Sequence, residues 1–254
     1  MNILMTICGR AGSKGFKGKK LKIFHGNALI WYTLAVIDLF KSQTDANVDV
    51  ALNTDSEELK LIVKKYPGIL FIDRKKELSS DTASKISVIK DTLLQSENQT
   101  GKVYDLVIDL DLTSPLRTVH DVHRLVEKKI NEPDLDVVFS VVEARRNPFF
   151  NMVIEKGNSV TLVNKSEFTA RQQAPKIFDM NASMYLYDVN FLKEKNKIFE
   201  GTCGIIEMKD YLILDIDSEE DFQWMSYLYP KFMEEDKGIF EVFENIKKIT
   251  NQSI

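Results

Sequence analysis

Short apolar runs alternate along the chain with segments whose apolar residues recur at helical spacing, a rhythm that predicts a parallel sheet covered on both faces. Ile3–Cys8, Val48–Asn53, Ile69–Ile72 and Leu106–Leu110 read as strands, separated by helices over Ala28–Phe40, Ser56–Lys65, Thr82–Leu94 and Val119–Asn131. With right-handed crossovers, the segments after the strands converge on one edge of the sheet, where open α/β sheets place ligands. These segments are Gly9–Lys20, Thr54-Asp55 and Asp111–Arg117. From Asp136 the rhythm changes. Val137–Val142, Phe149–Ile154, Val160–Val163 and Met184–Tyr187 read as strands with short connectors, which suggests an antiparallel insertion. A further strand over Tyr211–Leu214 and helices over Ser218–Tyr229 and Gly238–Ile249 close the chain. The fold class is therefore α/β, mostly parallel, with a nucleotide-type core over 1–142 and 181–254 and an insertion over 143–180.

The first loop changes this picture most. Gly9, Gly12, Gly15 and Gly18 let the backbone approach an anion, and Arg10, Lys14, Lys17, Lys19 and Lys20 supply charge against phosphate oxygens. It is not a Walker loop, because Lys14 is followed by Gly15 rather than by a hydroxyl residue. Nor is it a dinucleotide fingerprint, since its glycines fall at every third position and it carries five cations. With 254 residues, 44% hydrophobic and 28% charged, the chain has apolar content for a substantial core. Its net charge of −4 argues against general nucleic-acid affinity and leaves the basic loop as a local positive focus for a small anion. Cys8 and Cys203 lack partners at metal spacing, so any metal is expected to be held by oxygen. The sequence has no charged-then-apolar leader and no bilayer-length apolar run, and the expected location is a reducing cytoplasm with no membrane partner.

Three further constellations carry chemistry. Asp215 and Asp217 alternate around Ile216, which turns both carboxylates to one side, and hard oxygens of that kind suit magnesium. Asp217 equally reads as part of a helix start ahead of Glu219, Glu220 and Asp221. Asp109–Arg117 combines carboxylates, hydroxyls, a proline and an arginine in a ligand-facing loop. Leu78–Ser84, with Asp81 and Ser84, opens a helix and reads as a cap or as an anion contact. His120 and His123 lack a third ligand, His25 fits a turn, and Cys8 fits a small buried hydrophobe.

Taken in order, several motifs resemble the acylneuraminate cytidylyltransferases, which make CMP-activated sialic acids and related nine-carbon sugar acids. They are Gly9–Gly15 with Lys19, Asn53–Ser56, Leu78–Ser84, Leu112–Arg117, Ala170–Pro175, Met180–Tyr185 and Asp215–Asp217, and they span most of the chain. The resemblance implies a Rossmann-like nucleotidyltransferase that forms a homodimer through its insertion. It implies Arg10, Lys14 and Lys19 on the CTP phosphates, with Ala11, Gly12, Ser13, Asp81 and Ser84 on the nucleotide. It implies Mg2+ on Asp215 and Asp217, and Asp111, Arg171, Asn181 and Tyr185 around the sugar acid. Lys19, Arg10 and Asp217 form the implied catalytic set, and the implied reaction is attack of the anomeric hydroxyl on the α-phosphorus of CTP with loss of pyrophosphate. The base is left open between a metal-activated hydroxyl and a carboxylate such as Asp111.

The departures are informative. Sialate enzymes usually carry glutamine at the place of Asp111 and a glycine at that of Ala182. A carboxylate at 111 would repel a sugar acid unless it faces magnesium, a cation, or an amino or hydroxyl substituent, which points to a legionaminic- or pseudaminic-type sugar rather than plain N-acetylneuraminate. Two alternatives stay open: nucleotidyl transfer to a sugar phosphate, and a non-catalytic nucleotide-sugar binder.

Overall fold

A computed structural model describes residues 1–12, 21–80 and 82–251. Of the sites expected from sequence, Ser13, Lys14, Lys19 and Asp81 lie outside the described residues. Strand β1 (Asn2–Gly9) runs through the middle of the molecule, with Ile3, Leu4, Met5 and Ile7 wholly buried because both faces of the sheet are covered. It pairs in parallel with β4 (Asn47–Thr54) on one side and β6 (Leu106–Leu110) on the other, and β4 pairs in parallel with β5 (Ile69–Asp73). A two-residue ladder, β2 (Ile23–Phe24) with β3 (Asn27–Ala28), precedes helix α1 (Leu29–Gln43). The seven-stranded sheet is completed by β7 (Val137–Glu143), β10 (Phe178–Asp188) and β11 (Cys203–Glu207), in the order β11-β7-β10-β6-β1-β4-β5. Only β10 runs against its neighbours, so the sheet is mostly parallel, as expected.

Helices cover both faces. On one lie α1, α4 (Val119–Asn131), α6 (Glu219–Glu235) and α7 (Lys237–Asn251); on the other lie α3 (Lys85–Thr100) and the short α5 (Val189–Glu194). The short α2 (Glu57–Val63) is capped by Ser56, whose side chain accepts from the Leu59 amide at 3.2 Å. Helix α1 is apolar almost all round because α7 covers the side turned away from the sheet, and Asn245 locks the two by donating to the Ala35 carbonyl and to Asp38, each at 3.0 Å.

The structure corrects the second half of the sequence reading. Val137–Val142 and Met184–Tyr187 are strands of the central sheet; the hairpin β8 (Val153–Lys156) with β9 (Ser159–Leu162) forms a separate ladder. The expected strand over Phe149–Ile154 begins as a turn, since the Asn147 side chain accepts from the Phe149 amide at 2.9 Å. Tyr211–Leu214 is not a strand: Asp210–Ile213 forms a 3-10 turn pinned by Tyr211, whose hydroxyl donates to Asp236 at 2.5 Å. The strand there is β11, inconspicuous in sequence because it holds Gly204, where a Cβ would meet a Leu135 methyl carbon at 2.4 Å.

Strand β10 shifts register between Met180 and Tyr185, and within that irregularity Ala182 has φ +54°. A glycine takes such a backbone without the penalty of about 1–2 kcal/mol that an L side chain meets there. Ala182→Gly is therefore expected to hold or raise the melting temperature, whereas Ala182→Val is expected to lose about 2 kcal/mol. Urea unfolding of both variants checks the order.

Candidate active site

The carboxyl ends of β1, β4, β5 and β6 define one edge of the sheet, and the chemistry gathers there on two sides of β1. On the β4–β5 side, the Asp55 carboxylate accepts from the Ala11 amide at 2.6 Å, tying the first loop to the end of β4. Burial works against the Asp55 charge, but the Ala11 amide, the Ser79 hydroxyl and Arg74 outweigh it and hold its carboxyl below the usual range. Arg10 donates to the Ser79 carbonyl at 3.2 Å, and Arg74 donates from Nε to Asn53 Oδ1 at 2.8 Å. Two arginines thus lie on this side. Gly12 has open space where a Cβ would stand. Ser84 caps α3 through the Ser87 amide at 3.2 Å, so its observed contact is the capping one.

On the β6–β10 side the charges are acidic around one lysine. Asp109 is completely buried; its Oδ1 accepts from Thr6 Oγ1 at 2.8 Å and its Oδ2 lies 2.9 Å from Lys85 Nζ. Lys85 also donates to Asp111 Oδ2 at 2.5 Å and stands 5.6 Å from the centre of the Tyr185 ring. Asp111 Oδ1 accepts from the Thr113 amide and hydroxyl at 3.0 and 2.9 Å. Burial opposes charge on both partners, yet their attraction wins. Lys85 is held well above the ordinary lysine value, and Asp111 well below the ordinary carboxylate range by Lys85 and Thr113. The carboxylate at 111 faces a cation, one of the arrangements that makes it tolerable beside an anionic ligand, and its low basicity makes it a weak proton acceptor.

Arg117 shapes the loop between them. It is wholly buried, donates from Nε to the Ser114 carbonyl at 3.1 Å and also bonds the Asp111 carbonyl, so it clamps Asp111–Ser114 from beneath. Burial pulls its guanidinium down to about 10, against the nearby carboxylates, which raise it. Ser114 in turn donates to Asp215 Oδ1 at 3.3 Å, and the Ile216 amide donates to the Thr113 carbonyl at 2.9 Å. Ile216 is fully buried, while Asp215 is half-buried and Asp217 exposed, so the two carboxylates lie beside the apolar residue at the rim of the edge. Among the described residues no three His, Cys, Asp or Glu side chains form a metal cage. The two carboxylates could hold Mg2+, a cation that keeps waters and takes substrate phosphates beside one or two protein oxygens. The Ser218 hydroxyl accepts from the Asp221 amide at 3.1 Å and caps α6, so the cap falls one residue beyond Asp217.

Asn181 and Tyr185 reach the same edge in different ways. The Asn181 amide is buried, accepting from Ser140 Oγ at 2.6 Å and donating to the Leu212 carbonyl at 3.3 Å, so it positions the segment before Asp215. The Tyr185 ring borders Lys85. Arg171 is not brought to this cluster: it lies in a surface recess with Glu143, Asn147, Pro175 and Lys176. His25 is a turn residue with φ +43°. Burial and the Asp109 charge push the Cys8 thiol up, which removes it as a nucleophile. Lys85 and Arg74 were missed from sequence: Lys85 reads as helix interior and Arg74 as one more charge after a strand. The strand-end rule that found Asp111 would have found Arg74.

A sequence model of the cytidylyltransferases matches residues 4–252. The chain belongs to the cytidylyltransferase family. Among relatives of this cytidylyltransferase, a post-translational flagellin modification protein B of Campylobacter coli is 37% identical over 89% of this chain and 94% of its own. A CMP-N,N'-diacetyllegionaminic acid synthase of Campylobacter jejuni is 36% identical over the same shares. A CMP:2-keto-3-deoxy-manno-octonic acid synthetase solved with CTP shares the fold, with TM-score 0.64 and 14% identity over 91% of this chain and 99% of the other.

Asp111 has an unfolded-state value of about 3.9, so its stabilisation is fully present above that pH and is lost as pH falls towards the lower folded value. Asp111→Asn is expected to flatten the acid limb of stability between about pH 4 and pH 2, measured by urea unfolding. Lys85→Met leaves the Asp109 carboxylate buried without its cation and is expected to cost about 3 kcal/mol. Lys85→Met with Asp109→Asn should recover most of that loss, which a chemical denaturation cycle reads directly.

Proposed function

We propose that this cytidylyltransferase transfers CMP from CTP to the anomeric hydroxyl of a nine-carbon sugar acid of the legionaminate type, with pseudaminate-type sugars as the next class. The observation that carries this reading is the division of the sheet edge, with Arg10 and Arg74 on the β4–β5 side and the Lys85–Asp111–Asp215 cluster on the β6–β10 side. The first suits a nucleotide and the second a hydroxylated partner, and the end of β1 lies between them. The name of the relative that makes CMP-N,N'-diacetyllegionaminic acid supports the substrate class.

In the reaction the anomeric oxygen forms a bond to the α-phosphorus, the bond to the bridging oxygen of the β-phosphate breaks, pyrophosphate leaves, and the hydroxyl proton passes to solvent or to a basic oxygen. The protein's part is to hold the two reactants in line and to stabilise charge. Arg10, with Lys14 and Lys19 of the loop, meets the phosphates, while Ala11 to Ser13, Asp81 and Ser84 border the nucleoside. Asp215 and Asp217 would hold Mg2+, which when bound neutralises triphosphate charge. Asp111 and Tyr185 border the sugar. Arg171, in its separate recess, is assigned to the sugar acid on the resemblance alone.

We further propose that the chain forms a homodimer through the 143–180 segment. Val153 and Val160 share one face of the hairpin and are 63% and 64% exposed, Ile154 is exposed on the opposite face, and Met152, Val163 and Phe168 are exposed nearby. Consumption of CTP supports the cytoplasm as the place of this reaction.

Pyrophosphate release with each of CTP, UTP, ATP and GTP against a panel of nine-carbon sugar acids tests the activity, with release expected only for CTP and a legionaminate-type acid. Release with a sugar phosphate and another nucleotide would overturn the reading. Asp217→Ala is expected to abolish turnover with unchanged circular dichroism, and Lys19→Ala to raise the KM for CTP. Val160→Glu should shift the mass in sedimentation from dimer to monomer.

A further inference from the structure

Lys85 is the described cation at the centre of the β6–β10 side, and its hydrogen bonding has room for a ligand. An ammonium has three N–H donors. Among the described residues Lys85 donates to Asp111 Oδ2 at 2.5 Å and forms an ion pair with Asp109 Oδ2 at 2.9 Å. A carboxylate has about four acceptor positions. Asp111 Oδ1 already receives two donors from Thr113, whereas Asp111 Oδ2 receives Lys85 alone. Among the described residues, at least one donor and one acceptor are therefore left on adjacent atoms. Both side chains reach solvent, with relative exposures of 37% for Lys85 and 23% for Asp111.

A hydroxyl oxygen matches this arrangement, because one atom can donate to Asp111 and accept from Lys85. A carboxylate or phosphate matches it less well, since Lys85 is flanked by two carboxylates and the trio carries net negative charge. The far side of Lys85 is fixed. Asp109 is wholly buried and its Oδ2 has no hydrogen-bond partner, only the ion pair with Lys85, so the ammonium cannot leave without stranding that charge. The Tyr185 ring, 5.6 Å from Nζ, closes another side.

We infer that Lys85 is a positioning and specificity-determining residue of the sugar-acid subsite, where it fixes Asp111 as an acceptor and adds a donor beside it, so that the pair reads one hydroxyl of the sugar. This rests on the proposed CMP transfer to a sugar acid. Asp111 in this arrangement selects the substrate rather than taking its proton.

The test compares wild type, Lys85→Arg and the Lys85→Met/Asp109→Asn double variant, the last removing the buried charge together with its partner. KM for CTP and for the sugar acid are measured separately by pyrophosphate release, and CTP binding by calorimetry. The sugar-acid KM is expected to rise at least about tenfold in the double variant, the loss of roughly one charged hydrogen bond, with the KM and Kd for CTP changing less than about twofold. A series of deoxy sugar acids then locates the hydroxyl: for the analogue lacking it, wild type and double variant should converge. A sugar-acid KM that moves no more than the CTP KM, or a wild-type preference that no deoxy analogue removes, would overturn the inference. Wild-type protein that releases no pyrophosphate from CTP with any sugar acid would instead sink the proposed function, and the assignment of Lys85 with it.

Discussion

The ion pair between Lys85 and the buried carboxylate of Asp109 supports everything placed on the β6–β10 side of the sheet. A carboxylate at the end of a central strand, covered on both faces, is tolerable only with a cation and hydrogen bonds. Lys85 supplies the cation from the first turn of α3, and Thr6 supplies a hydroxyl from β1. Because the same ammonium also bonds Asp111, an internal requirement of the core fixes a side chain at the surface of the site. The geometry of the edge is thus inherited from burial rather than built by the loop alone.

The antiparallel strand β10 does comparable work for the other carboxylates. By entering between β6 and β7 it brings Asn181, Ala182 and Tyr185 against the loop that follows β6. The register shift at Ala182 turns the Asn181 amide inward to Ser140 and Leu212, and Leu212 lies three residues before Asp215. Arg117 holds the facing loop from below through main-chain carbonyls. Asp215 is therefore reached by two supports, a buried amide and a buried guanidinium, and neither needs to touch a substrate. Charge on the β4–β5 side is arranged differently: Asp55 holds the first loop by its backbone, while Arg10 bonds the Ser79 carbonyl and Arg74 bonds Asn53.

Most of the first half was legible from sequence because β1, β4, β5 and β6 are apolar runs separated by long helical segments, and the ends of parallel strands predict a ligand edge without further information. The second half was read less well for physical reasons. β11 hides behind a glycine demanded by Leu135. Tyr211–Leu214 has strand-forming residues but is held as a turn by its bond to Asp236. Asp215 and Asp217 were assigned to one side by strand alternation, but the residues before them form a 3-10 turn and no strand runs through them; Asp215 is half-buried, Ile216 buried and Asp217 exposed.

Sequence by itself determined the α/β class and the family, and it singled out the strand ends and the acidic pair as candidates, because periodicity, strand ends and motif order are local properties of the chain. The tertiary structure alone decided which charges meet. Lys85 stands twenty-four residues before Asp109 and twenty-six before Asp111, and no local pattern tells a helix-surface lysine from the counter-ion of a buried carboxylate. That distinction follows from the desolvation of Asp109, which exists only once α3, β1, β6 and β10 have closed around it.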